Sequence, residues 1–165
     1  MRPKRLWQGN LPGLLLAGGM ALSPLPASAA ELEISLVETG TVLARIDLPD
    51  PPEWCVLWRH SVKGFEVSDC YEARDGHMVL VWSHLPDFAA GLDHIPGRGR
   101  QISDGQGGYI IEDIDEPVPG DAYVLRPGRM AVDHRIRAGA TEISLSRMAE
   151  HQRVRVALID DNGDD

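Results

Sequence analysis

The sequence predicts an all-β fold: one antiparallel sandwich or partly open barrel, preceded by a cleaved leader. Three observations carry this. Apolar and polar residues alternate with period two in many short runs. Gly, Pro and Asp punctuate those runs at short intervals. No stretch beyond the leader sustains a 3.6-residue period for three turns. The chain therefore divides into a leader over 1–29, one β domain over 30–159 and an acidic tail over 160–165.

The leader is read from its three parts. Arg2, Lys4 and Arg5 make a positive start, Leu11 to Leu22 is apolar, and Ala27-Ser28-Ala29 places small residues where signal peptidase cuts. Cleavage after Ala29 or Ala30 fits equally. An uncleaved anchor is the alternative, but Gly18, Gly19 and Pro24 break a run that is short of the ~20 apolar residues a span requires. The expected compartment is the periplasm, with no stable membrane insertion after cleavage.

The strands follow in order. Leu32, Ile34 and Leu36 alternate with polar neighbours, Gly40 turns the chain, and Val42 to Leu48 runs back. Pro49, Pro51 and Pro52 then interrupt pairing, because proline lacks the ladder donor. Trp54 to His60, Phe65 to Ala73 and His77 to Leu85 are the next three strands. Asp75-Gly76 between the last two is a two-residue hairpin turn, since both residues tolerate positive φ. Pro86 to Gly108 reads as the longest loop. Gly108 to Asp113, Tyr123 to Arg126, Val132 to Ile136, Glu142 to Leu145 and Arg153 to Ile159 complete the strands, Pro117 to Gly120 is a turn, and Ser146 to Gln152 suits one helical turn.

Charge narrows the partners. The leader holds three of the 16 basic residues and none of the 25 acidic ones, so the remainder carries 13 basic against 25 acidic residues, a formal balance of −12. That field repels phosphate backbones and anionic lipid heads, which argues against nucleic-acid and membrane-surface binding. A local basic pocket is the exception it allows.

Two cysteines remain, Cys55 and Cys70. An oxidising compartment favours their pairing over two buried thiols or a metal pair, and their spacing matches no zinc pattern. If they face each other across a hairpin, the register follows. Trp54 then opposes Tyr71, Trp58 opposes Val67, Arg59 opposes Glu66 and His60 opposes Phe65 across a loop of Ser61 to Gly64. His60 and Asp69 share a face in this register but stand roughly 13 Å apart at strand rise, too far for a direct dyad unless a bulge alters the spacing.

His60-Ser61 invites a hydrolase reading. Adjacent strand residues point to opposite faces, however, and there is no Gly-x-Ser-x-Gly elbow, so ordering of the hairpin tip is preferred. The remaining histidines are scattered without a His-x-His or His-Glu-x-x-His pattern, and Glu112 to Glu116 lacks calcium-loop spacing. No metal and no cofactor is expected. The loop from Asp87 to Gly108 is the best binding candidate by length, with Phe88 and Leu92 as core anchors and Arg98 and Arg100 as anion contacts. The alternative for it is a solvated loop.

His60-Ser61-Val62, then Val67, Asp69 and Tyr71, Gly76, Leu80-Val81, Phe88-Ala89-Ala90-Gly91-Leu92 and Asp104-Gly105, resemble in that order the domain of unknown function numbered eighteen-fifty. The resemblance spans about residues 54–158. Asp69 stands where the family usually has Glu, and Ala89 replaces the first glycine of the later element. Members are small exported bacterial proteins often encoded beside TAXI-type TRAP transporters. The resemblance thus implies a non-enzymatic periplasmic accessory protein that contacts a solute-binding protein or permease. The second expectation is a small organic-acid binding module using Arg98, Arg100 and His60. A hydrolase ranks last.

Overall fold

In the computed structural model, which describes residues 30–62, 64–85 and 97–159, the alternating runs pair into two antiparallel sheets. The predicted leader over 1–29, Phe88, Gly91, Leu92 and the acidic tail over 160–165 lie outside the described residues. The smaller sheet has four strands, β1 (Glu31–Leu36), β2 (Val42–Asp47), β9 (Ala122–Leu125) and β12 (Val154–Ile159), in the order β2-β1-β12-β9. The larger contains β3 (Glu53–Arg59), β4 (Glu66–Arg74), β5 (His77–Leu85), β6 (Arg100–Ser103), β7 (Tyr109–Glu112), β10 (Arg135–Ala138) and β11 (Thr141–Ser144). Its order is β11-β10-β3-β4-β5-β7-β6, and the short β8 (Glu116–Pro117) pairs beside β5. Neither sheet closes on itself, so of the two architectures the sequence predicts, the sandwich is the one formed.

Period-two alternation fills the space between the layers. Leu32 and Ile34 of β1, Val154 and Val156 of β12, and Ile46 of β2 meet Trp54 and Val56 of β3, Met78 of β5 and Ile136 of β10 in one buried cluster. A second cluster joins Val67, Leu80, Leu85, Tyr109, Ile111 and Ile114. Burying each such side chain contributes about 1.5–3 kcal/mol relative to leaving it in water.

The predicted hairpin register holds residue for residue. Trp54 opposes Tyr71, Cys55 opposes Cys70, Trp58 opposes Val67 and Arg59 opposes Glu66. Cys55 and Cys70 are joined by a disulfide. At the tip, the His60 amide donates to the Phe65 carbonyl at 2.8 Å, the Gly64 amide returns to the His60 carbonyl at 2.9 Å, and Gly64 takes φ +78°. Asp75 and Gly76 both adopt positive φ, as their two-residue turn requires.

Three elements differ from the sequence reading. The region read as one loop from Pro86 to Gly108 contains β6, an edge strand whose Ile102 opposes Ile110 of β7. Ile102 is the only aliphatic residue of Arg100–Ser103, so a marginal strand leaves almost no alternation to detect. Pro117, read as part of a turn, sits in β8 opposite Val79, at a margin where its missing donor is harmless. The strand expected over 132–136 starts at Arg135, because Asp133 takes φ +47° and the Val132 amide closes a turn onto the Arg129 carbonyl at 2.8 Å. The helical turn α1 (Leu145–Ala149) is capped by the Ser144 hydroxyl, which accepts from the Arg147 amide.

Candidate functional site

The face of β3 and β4 that looks toward the smaller sheet carries Val56, Trp58, Asp69 and Tyr71. Opposite them, β9 contributes Tyr123 and Leu125, and the segment before β10 contributes His134. These seven residues line a cleft of about 190 Å³. Because β9 is the edge strand of its sheet, the cleft lies at a margin of the sandwich rather than in its sealed centre.

A β-bulge shapes the floor. Cys70 opposes Trp82 while Tyr71 opposes Leu80, so Val81 is the extra residue. The slip allows Ser83 and Leu80, three positions apart, both to oppose cleft-facing residues. The Ser83 hydroxyl donates to Asp69 Oδ1 at 2.6 Å. Among the described residues this is the one hydrogen bond to the Asp69 side chain, and Oδ2 has none. Burial pushes the Asp69 carboxyl above the ordinary carboxylate range, opposed by the Ser83 bond and by the positive charge of Arg98.

Aromatic rings form the walls in two stacks. Trp54, Tyr71 and Tyr123 stack in succession, with centroids 5.6 and 5.1 Å apart. Trp58 and His134 form the second stack at 5.9 Å, nearly parallel at 9°. His134 Nδ1 accepts the Gly128 amide at 3.1 Å, which leaves the ring proton on Nε2 in the neutral form. Burial lowers the His134 pKa, against the pull of Asp133, and so favours that neutral ring. Burial likewise raises both Tyr71 and Tyr123, so both phenols keep their protons.

Two polar atoms here lack hydrogen bonds. Trp54 Nε1 and Tyr123 Oη are both buried and unpartnered. They are near enough for the indole N–H to favour the phenolate slightly, yet the geometry falls short of a hydrogen bond. Leaving a buried polar group unpaired costs about 1–3 kcal/mol.

The other residues singled out from sequence lie elsewhere. His60 stacks on Phe65 at 5.4 Å, and its Nδ1 receives the Val62 amide at 3.4 Å, so it orders the hairpin tip with Ser61 in the exposed turn. Asp69 contacts Ser83, not His60, as the register predicts. Arg98 donates through Nε to Glu116 Oε2 at 2.6 Å, and Arg100 pairs with Glu112 at 2.8 Å and with Asp113 at 3.7 Å. Both guanidiniums expected to meet an anion are therefore already held by carboxylates. Asp104 anchors the turn between β6 and β7: Oδ1 accepts the Gln106 and Gly108 amides, and Oδ2 meets His84 Nε2 at 2.9 Å. Those bonds, His84 first, hold its carboxyl below the usual range.

The opposite face of the same strands carries a network of ion pairs. Arg135 reaches Glu66, Asp133 and Glu142, and Arg137 also bonds Glu142. A larger concavity of about 640 Å³ lies on this side, but its arginine, Arg74, already bonds Glu72 and Asp115. Among the described residues no group of three or more His, Cys, Asp or Glu could hold a metal ion, and no helix is long and apolar enough to cross a membrane.

Sequence reasoning placed Asp69, Trp58 and Tyr71 on one hairpin but missed the site. Tyr123 and His134 come from segments more than 50 residues further along, and no local pattern ties them to the hairpin. The cleft nonetheless lies within one recognisable stretch. A family model described as "Domain of unknown function (DUF1850)" matches residues 55–145. The chain belongs to this family. The match runs from Cys55 in β3 to Leu145 at the start of α1, and includes all seven lining residues, Ser83 and the disulfide. Trp54 lies one residue before it, and β1, β2 and β12 lie outside it. No curated protein and no solved structure matches the chain.

Proposed function

We propose that this domain is a non-enzymatic binding module of the periplasm that receives a small molecule in the cleft between its sheets. One observation carries the reading. Tyr123, whose buried Oη makes no hydrogen bond, lines a cleft that also presents the unpaired Oδ2 of Asp69. A folded chain tolerates such costs where a ligand or a bound water supplies the missing bonds. The predicted leader and the disulfide support export. The family resemblance supports service beside a TAXI-type TRAP transporter, with its solute-binding protein or permease as partner.

The organic-acid alternative has weaker support. An anion would have to share Arg98 with Glu116 or Arg100 with Glu112 and Asp113, whose negative charges oppose it. A hydrolase remains the least supported reading, because His60 and Ser61 are occupied in a turn.

Two measurements test the proposal. Denaturing extraction of protein purified from its native envelope, followed by mass spectrometry, should release a small molecule that a Tyr123→Trp variant with a filled cleft does not retain. Crosslinking in that envelope should recover a transporter component. Recovery of no specific partner would remove the transport role and leave the binding role to stand on the extraction.

A further inference from the structure

The cleft also constrains the chemistry of what enters it. We propose that its ligand is a small organic cation, whose ammonium group sits against Asp69 Oδ2 and whose apolar part lies against Trp58 and Tyr123. This deepens the binding reading above and rests on it.

Charge is the first argument. Asp69 is the only carboxyl among the seven lining residues, and His134 is held neutral by its acceptor role toward Gly128. Arg98 is the cation that Asp69 senses, but its Nε is 2.6 Å from Glu116 Oε2. Asp69, Arg98 and Glu116 thus set two carboxyls against one guanidinium. An anionic ligand would face the Asp69 carboxyl with no guanidinium among the seven lining residues to offset it. A cation gains an ion pair in a partly desolvated place, where attraction is less screened than at the surface.

The aromatic walls are the second argument. Neutral Trp and Tyr rings present negative faces that attract ammonium groups, by roughly 0.5–2 kcal/mol each according to desolvation. Parallel stacking of Trp58 on His134 and of Tyr123 on Tyr71 fixes those rings before any ligand arrives, and Tyr71, held between Trp54 and Tyr123, serves as their support. The stacks leave room for a small molecule only, since about 190 Å³ is below the usual range for drug-sized ligands. The formal balance of −12 beyond the leader adds long-range attraction for cations.

Calorimetric titration separates the class of ligand from the existence of the site. The probes are benzylammonium, benzyl alcohol and benzoate, which share a ring and differ in charge, with tetramethylammonium as a compact second cation. Benzylammonium should bind at least about tenfold more tightly than either counterpart, an advantage of about 1.4 kcal/mol. Asp69→Asn should erase that advantage while leaving the circular dichroism spectrum unchanged. Tyr123→Trp, which fills the cleft, should abolish binding of all four probes. Tightest binding by benzoate, or a preference that survives Asp69→Asn, would overturn the cation assignment and leave the cleft as a binding site. Failure of all four probes to bind the wild-type protein would overturn both.

Discussion

The two faces of the β3–β4 hairpin are built from alternate residues of the same strands, yet they treat polar groups in opposite ways. On the outer face the two arginines of β10 are answered by carboxylates. Arg135, only 14% exposed, holds three carboxylates, Arg137 shares one of them, and the disulfide lies in the same sheet. On the cleft face Asp69 keeps one oxygen unpaired, and Trp54 and Tyr123 keep buried polar atoms unsatisfied. The difference teaches where stability and binding were placed. Saturated groups stabilise the fold and have nothing left to offer a ligand. Unsaturated groups cost stability and are the ones a ligand can reward.

Removing the disulfide should have the largest effect, and it should act on the outer face. Cys55 and Cys70 are 15 residues apart, and closing a loop of that size stabilises by about 3 kcal/mol in the chain-entropy model. Cys55→Ser with Cys70→Ser should therefore lower the urea midpoint steeply, while ligand binding measured well below that midpoint stays intact. Loss of binding in a still-folded double variant would break the separation between the faces.

Arg135→Ala comes next. It leaves Glu66 without its arginine, while Glu142 keeps Arg137 and Asp133 keeps the Ser144 hydroxyl; the lost charge-assisted bonds are worth roughly 1.5–3 kcal/mol each at most and are not additive. Chemical denaturation should show a loss of about 2 kcal/mol, within the range for hydrogen bonds to charged groups.

Asp69→Asn should do the reverse. Burial raises the Asp69 pKa, so the folded state holds this proton more tightly than the unfolded chain. The group favours folding below its unfolded pKa of about 4, and that contribution is lost as pH rises through its folded pKa. At pH 7 the ionised carboxylate is a net cost, so the asparagine variant should melt higher than the wild type. The two should converge below about pH 4. A lower melting temperature for the variant at pH 7 would mean that Asp69 is paired in a way the cleft geometry does not show.

His134 supplies a smaller effect of the opposite slope. Its folded pKa is lowered by burial, so the unfolded chain binds the proton first as pH falls below about 6.5. Stability from this residue is present above that pH and declines below it. Replacing it with Phe, which keeps a ring on Trp58, should flatten the melting-temperature profile between about pH 6.5 and 5.

Much of the fold was legible because it is local. Alternation along Leu32–Leu36 and Trp54–Tyr71 set strand and facing, and the two cysteines set a register that Trp54–Tyr71 and Trp58–Val67 satisfy independently. Edge elements with one apolar residue, such as Arg100–Ser103, were not legible, because their strand state comes from a neighbour's unpaired backbone rather than from their own pattern. Arg98 and Arg100 looked like free anion contacts for a related reason: a sequence shows charges but not their partners across a sheet.

By itself the sequence determined the family, the all-β class, the hairpin register and the strongly acidic balance, since each rests on neighbours along the chain or on composition. Only the tertiary structure decided that the sandwich stays open at β9, that a bulge at Val81 brings Ser83 to Asp69, and that Tyr123 and His134 close the cleft. Those contacts join segments far apart in sequence, and they depend on how two sheets pack over a shared core, a property no single strand encodes.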